Sequence, residues 1–135
     1  MANAHIVVIN DDALYLDMMH DILTDEGFAM TACATSASAV GVVEQLQPAA
    51  VILDLRMERP DSGVAVLQQL RDNLRTAPIP VLVCSADGGA LRARIEAVQH
   101  PQWCLLAKPF KLEELLDTLQ NMLNHSGLTR AVNER

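Results

Sequence analysis

The stretch AAVILDLRM, Ala49 to Met57, combines a strand-like apolar run with a charged end. Ala49 to Leu53 is short, partly β-branched and without alternation, which predicts a strand buried on both faces. Asp54 follows directly, and its carboxylate must be solvated, paired or metal-bound, because burying it alone would cost more than folding supplies. Asp54 either opens a turn, as Asp often does, or belongs to a cluster of charged groups.

The composition is that of one domain with an acidic surface. The chain has 135 residues, of which half are apolar, and this length suits a single core. Ten Lys and Arg stand against 17 Asp and Glu, a net charge of −7, which argues against direct binding to nucleic acid or an anionic membrane surface. The same charge is compatible with a cation site.

The cysteines and the apolar runs predict the compartment. Cys33, Cys84 and Cys104 are odd in number and have no C-x-x-C spacing, which indicates buried thiols in a reducing environment. We see neither a signal-peptide pattern nor the roughly 20 consecutive apolar residues of a membrane span. A soluble, cytoplasmic protein is therefore expected.

Strand-like and helix-like segments alternate from end to end. Strands are predicted at 5–10, 29–33, 49–53, 80–85 and 103–107, and helices at 13–26, 37–47, 63–73, 90–99 and 112–124. Five β/α pairs imply a parallel sheet with helices on both faces. We expect one domain over residues 1–125 and a frayed C-terminal tail over residues 126–135.

Polar side chains follow four of the five predicted strands. They are Asp11 and Asp12 after the first, Asp54 after the third, Ser85 at the end of the fourth and Lys108 after the fifth. Each alone has an ordinary explanation; Asp11 or Asp12, for example, could cap the first helix, which contributes about 1 kcal/mol. Because ligands bind at the carboxyl ends of strands in open parallel sheets, the whole set indicates a functional site.

The charges of this set suggest its chemistry. Two carboxylates ~4 Å apart repel by about 4 kcal/mol at an effective dielectric of about 20, so three of them need cations. Lys108 supplies one charge, and all-oxygen ligation points to Mg²⁺, with Mn²⁺ as the alternative ion. A carboxylate beside such an ion, an amine and a hydroxyl is placed to accept a phosphoryl group. Asp54 is the predicted nucleophile.

Four segments resemble the receiver domain of bacterial two-component response regulators. They are INDDALYL at 9–16, VILDLRM at 51–57, VLVCSA at 81–86 and LLAKPF at 105–110, and the resemblance extends over residues 4–124. It implies an α/β, flavodoxin-like (βα)5 doubly wound sheet with strand order 2-1-3-4-5. It also implies a phosphoacceptor aspartate and a bound magnesium ion.

The resemblance assigns a role to each site residue. Asp54 is the phosphoacceptor, and Ser85 and Lys108 bind the phosphoryl group. The Mg²⁺ ligands that it implies are the side chains of Asp12 and Asp54, Asp11 through water, and the backbone carbonyl of Arg56. Ala86 matches the small residue that the family places after its hydroxyl.

The chain departs from the family pattern around this site. Arg56 occupies a position that tunes the lifetime of the phosphoryl group, and Leu105 replaces an aromatic residue, with Trp103 two residues earlier on the same strand face. Gly63 lies nine residues after Asp54 where the family has eight, which indicates a one-residue insertion in this loop.

Three functions remain open at this point. The first is a phosphorylation-controlled switch: a histidine kinase or phosphotransfer protein modifies Asp54, and the face around the fourth and fifth helices changes its protein partner. This hypothesis predicts that the protein is not an enzyme and at most catalyses its own phosphorylation and dephosphorylation. It also predicts a monomer or weak dimer. The second is an interaction module of the same fold that works without phosphorylation. The third is an aspartyl-nucleophile phosphatase, which Arg56 disfavours because a second acid belongs at that position.

Overall fold

The fold is a five-stranded parallel sheet in the order β2-β1-β3-β4-β5. The structure is a computed structural model that describes residues 4–55, 57, 59, 62–85, 93, 102–108 and 110–133. The strands are β1 His5–Ile9, β2 Ala29–Cys33, β3 Ala50–Asp54, β4 Val81–Ser85 and β5 Trp103–Ala107. The predicted flavodoxin-like fold and its strand order are confirmed.

Four helices are described, namely α1 Ala13–Asp25, α2 Ser36–Leu46, α3 Ser62–Asp72 and α4 Leu112–Asn133. The helix predicted at 90–99 falls outside the described residues except at Ala93, so the C-terminal helix is α4 here. Within the described part of the chain, no helix combines the length and the apolar character that a membrane span requires.

The core consists of two apolar layers, one on each face of the sheet. Val7 and Leu53 face the layer that α2 and α3 cover, whereas Val8 and Ile52 face the layer that α1 and α4 cover. Because successive strand residues point to opposite faces, the buried residues 6–9 of β1 and 50–53 of β3 must all be apolar. The unbroken apolar pattern of the central strands therefore follows from burial on both sides.

Element boundaries differ from the sequence prediction at a few ends. α2 begins at Ser36, one residue before its predicted start, with Thr35 as its N-cap, and β3 includes Asp54 as its last residue. The largest difference is α4, which continues to Asn133, so its predicted end at 124 is wrong. Residues 125–133 contain no proline and one glycine, whose cost of about 1 kcal/mol a long helix tolerates. The domain boundary at 125 stays a prediction.

Gly63 allows α3 to begin directly beside the end of β3. Its N–H donates to the Leu55 carbonyl at 3.0 Å. A Cβ at this position would lie 2.5 Å from the carbonyl oxygens of Asp54 and Leu55, far inside van der Waals contact. Only glycine permits this approach, and the backbone that carries Asp54 is thereby held between β4 and α3.

Candidate functional site

Asp54 and Lys108 form an ion pair at the carboxyl edge of the sheet. Lys108 Nζ lies 2.6 Å from Asp54 Oδ2, and the two side chains are 29% and 11% exposed. The Lys108 N–H donates to the Ser85 carbonyl at 2.8 Å, which fixes the start of the segment after β5 beside the end of β4. A pair with this burial is screened by salt less than a surface pair. The predicted convergence of these two residues is thus observed.

Asn10 is the second side chain that contacts Asp54. It is only 4% exposed, and its amide Nδ2 donates to Asp54 Oδ2 at 3.2 Å. Its carbonyl Oδ1 accepts the backbone N–H of Asp12 at 2.9 Å. Asn10 is not among the predicted site residues, although it presents the same signal as Asp54, a polar residue at the end of a buried apolar strand.

Asp12 caps the first helix. Its Oδ1 accepts the backbone N–H groups of Leu14 at 3.0 Å and Tyr15 at 3.3 Å, which is the ordinary role that the sequence left open for it. Asp11 is exposed and has no hydrogen bond or ion pair within the described residues. Direct metal ligation by Asp12 stays a prediction, and one of its two oxygens is already occupied by the helix.

The predicted cluster of three carboxylates is not assembled in this structure. Among the described residues, no group of three or more His, Cys, Asp or Glu side chains is arranged to hold a metal ion. The oxygen donors of Asp11 and Asp54 nevertheless have the chemistry that Mg²⁺ requires, since this ion commonly binds one or two carboxylates and keeps several waters. The residues present therefore fit the chemistry of a magnesium site.

The remaining predicted residues lie at the same edge, in the core layer or outside the described residues. Ser85 is buried at the end of β4, one residue beyond Cys84, which pairs in register with Asp54. Leu105 packs with Trp103 against the core layer of α2 and α3, as their two-residue spacing predicted. Arg56 and Ala86 lie outside the described residues.

Two ionisable side chains, the buried Cys84 and the partly buried Tyr15, belong to the core layer beneath the site. Burial raises the pKa of the Cys84 thiol to about 12, with a smaller lowering by Lys108 and a smaller raising by Asp54. Burial also raises the pKa of Tyr15, and the charge of Asp54 acts in the same direction. Both groups are protonated at neutral pH, so Cys84 is not a reactive thiolate. Cys33, Cys84 and Cys104 are all unpaired by disulfides.

Comparison with known proteins agrees with this geometry. The sequence profile described as response regulator receiver domain matches residues 6–120. The chain is 32% identical over 123 residues to the chemotaxis protein CheY of Bacillus subtilis, covering 90% of this chain and 99% of that protein. It is 31% identical over 121 residues to the DNA-binding dual master transcriptional regulator RpaA of Synechocystis, covering 90% of this chain.

The coverage of the relatives is unequal. The chain spans about half the length of RpaA, 49%, although it spans nearly all of CheY. Among solved structures, the CheY-like response regulator receiver domain protein of Methanospirillum hungatei superposes with a TM-score of 0.82, covering 95% of this chain and 99% of that one. Its 16% identity shows the fold alone. The profile match and the CheY likeness together establish that this chain belongs to the response regulator receiver domain family.

Proposed function

We propose that this chain is a phosphorylation-controlled switch in which Asp54 accepts a phosphoryl group from a histidine kinase or phosphotransfer protein. The observation that supports this most is the Asp54–Lys108 pair, a carboxylate and an ammonium 2.6 Å apart at the carboxyl edge of the sheet. An exposed ion pair would be an ordinary surface feature. A mostly buried pair at the place where parallel sheets bind ligands suggests a site.

The proposed step is an in-line phosphoryl transfer. A carboxylate oxygen of Asp54 forms a new O–P bond while the P–N bond of the donor phosphohistidine breaks, and the bonding electrons leave on the imidazole nitrogen. Lys108 then pairs with a phosphoryl oxygen, and the Ser85 hydroxyl donates a hydrogen bond to another. Such transfer depends on positioning and charge neutralisation, and a partly buried ammonium beside the acceptor supports both.

The proposed cofactor is Mg²⁺, or Mn²⁺ in its place, which would neutralise charge on the phosphoryl oxygens when bound. Asp54 and Asp11 are the proposed carboxylate ligands, because Asp11 has no other partner among the described residues. The second oxygen of Asp12 and the backbone carbonyl of Arg56 are the remaining proposed ligands. The set is all-oxygen and anionic, as a hard divalent ion prefers.

The proposed output is a change of protein partner. A phosphoryl group adds a charge of about −1.5 to −2 at pH 7, which is enough to bias a surface that has two arrangements. We propose that the responding surface lies around α4, the fifth predicted helix, and the fourth helix predicted at 90–99. The net charge of −7 supports a protein partner and not direct contact with nucleic acid. We also propose a cytoplasmic monomer or weak dimer without activity on other substrates.

Labelling with acetyl phosphate tests the proposal. In the presence of Mg²⁺ the protein should gain the mass of one phosphoryl group, and Asp54→Asn should abolish this gain. Asp17→Asn is a matched control, because it removes one carboxylate from an exposed position of α1. A wild-type chain that stays unmodified with Mg²⁺ and donor in excess would contradict the proposal.

The second candidate is an interaction module that works without phosphorylation. It is favoured by one observation: the described residues form no three-carboxylate cluster, and the neutral Asn10 contacts Asp54 instead. The labelling experiment separates the two functions, because the module should remain unmodified while retaining its fold.

A further inference from the structure

Asn10 uses both ends of its side-chain amide. Nδ2 donates to Asp54 Oδ2, and Oδ1 accepts the Asp12 N–H. Its backbone N–H also donates to the Cys33 carbonyl at 3.0 Å, which extends the pairing of β1 with β2 by one residue. Asn10 therefore joins three elements: the sheet, the turn that begins α1 and the proposed phosphoacceptor.

The chemical identity of this side chain matters because the two ends have opposite polarity. An aspartate at position 10 could still accept the Asp12 N–H, since a carboxylate oxygen would replace Oδ1. Its other oxygen, however, would face Asp54 Oδ2 at the 3.2 Å now bridged by an N–H donor. Two carboxylate oxygens at that separation repel strongly unless a cation lies between or beside them.

An aspartate at position 10 would also make the net charge of the site more negative. Asp11, Asp12 and Asp54 carry three negative charges and Lys108 one positive charge, a sum of −2, and Asn10 adds none. Within the described contacts, Asp54 is held by an ammonium and an amide, both of which stabilise its carboxylate without a metal ion. A fourth carboxylate, at position 10, would make the sum −3 and would leave the site more dependent on a bound cation.

We infer that Asn10 is a positioning residue that keeps Asp54 paired with Lys108 in the absence of metal, and that its neutrality limits the affinity of the site for divalent cations. This inference rests on the proposed function, which assigns a divalent ion to Asp54 and Asp11. The chain would then bind Mg²⁺ at higher concentrations of the ion than a site with a fourth carboxylate at position 10, because fewer acidic ligands weaken binding.

Isothermal titration with MgCl₂ tests the inference on three substitutions. Asn10→Asp should lower the Kd for Mg²⁺ by at least about tenfold, because it adds a carboxylate to the ion's immediate surroundings. Asn10→Ala removes both hydrogen bonds without adding charge, and it should not tighten binding. Asn121→Asp is the matched control, the same chemical change at an exposed position of α4, and it should leave the Kd within about twofold of wild type.

Thermal unfolding gives a second measurement of the same inference. Without Mg²⁺, Asn10→Asp should melt below wild type, and MgCl₂ should raise its Tm more than it raises the Tm of wild type. An Asn10→Asp protein that binds Mg²⁺ no more tightly than wild type would overturn the inference. So would one that stays unfolded at saturating MgCl₂, because the ion would then not offset the added charge.

The acetyl phosphate experiment separates this inference from the proposed function. If wild type is labelled at Asp54 but Asn10→Asp leaves the Kd for Mg²⁺ unchanged, the switch function holds and the role of Asn10 is wrong. If Asn10→Asp tightens Mg²⁺ binding but no protein is labelled, the role of Asn10 holds and the phosphoacceptor function is wrong.

Discussion

The Lys108 ammonium lies 2.6 Å from Asp54 Oδ2 although β4 stands between the strands that carry the two residues. Lys108 directly follows β5, and its N–H is bound to the Ser85 carbonyl at the end of β4. The side chain therefore crosses the end of one strand to reach its partner. This placement depends on the register of β3, β4 and β5, so the ion pair forms only when the carboxyl ends of these three strands are aligned.

A double-mutant cycle should measure the coupling of this pair. Lys108→Met leaves the Asp54 carboxylate mostly buried with one described side-chain donor, Asn10, and should lower the free energy of unfolding by about 1–3 kcal/mol. Asp54→Asn combined with Lys108→Met should cost less than the sum of the single changes, with a coupling energy of about 1–2 kcal/mol. Urea unfolding of the four proteins gives these values. Strict additivity would show that the pair contributes nothing in solution.

Gly63 should be among the least replaceable residues of the chain. In Gly63→Ala the new Cβ meets backbone atoms of Asp54 and Leu55, which no rotamer change can relieve, so we expect a loss of about 1–3 kcal/mol or more in unfolding free energy. Gly41→Ala is the control, because a Cβ there meets nothing within 4 Å and α2 should gain about 0.5–1 kcal/mol. Both values come from denaturant unfolding. A tolerated Gly63→Ala would show that α3 can move away from β3.

The fold could be predicted because its signals are local and repeated. Five apolar runs, each followed by a predicted helix, leave few arrangements other than a doubly wound parallel sheet. The end of α4 could not be predicted in the same way. Apolar periodicity stops near Asn124, but a helix needs no apolar face to continue when no proline or capping residue ends it.

The sequence predicted which residues belong to the site, but it did not predict which of them contact each other. Strand ends showed that Asp54 and Lys108 meet, since parallel strands share a carboxyl edge. They could not show which residue of the Asn10, Asp11 and Asp12 run faces Asp54, because a shift of one residue there changes both the direction of the side chain and its role. In the structure the neutral first residue contacts Asp54, and the last caps α1.

The two neighbouring acids of the β1–α1 turn should respond differently to substitution. Asp12→Ala removes the acceptor for the Leu14 and Tyr15 N–H groups and should lower the free energy of unfolding by about 0.5–2 kcal/mol, whereas Asp12→Asn caps nearly as well and should change it little. Asp11→Asn should leave unfolding unaffected without metal and should weaken Mg²⁺ binding. Chemical denaturation with and without MgCl₂ distinguishes these effects. Equal destabilisation by Asp12→Ala and Asp12→Asn would exclude a simple capping role.

Tyr15 should make the fold sensitive to alkali, and its signal can be read alone because the sequence has one tyrosine. Burial raises the pKa of its phenol above the ordinary value of about 10. The folded state therefore keeps this proton in a pH range where the unfolded chain releases it, and stability falls as pH rises above about 10, by up to about 1.4 kcal/mol per pH unit.

Ultraviolet titration of tyrosinate, followed together with circular dichroism, checks this expectation. Ionisation of Tyr15 should begin well above the pH at which a solvent-exposed tyrosine ionises, and it should coincide with loss of the helical signal. Tyr15→Phe should lose less stability over the same pH range. Part of the loss should remain in both proteins, because burial also raises the pKa of Cys84. Tyrosinate formation at the ordinary pH in a fully folded protein would show that Tyr15 is exposed, and that it does not pack against the core layer covered by α1.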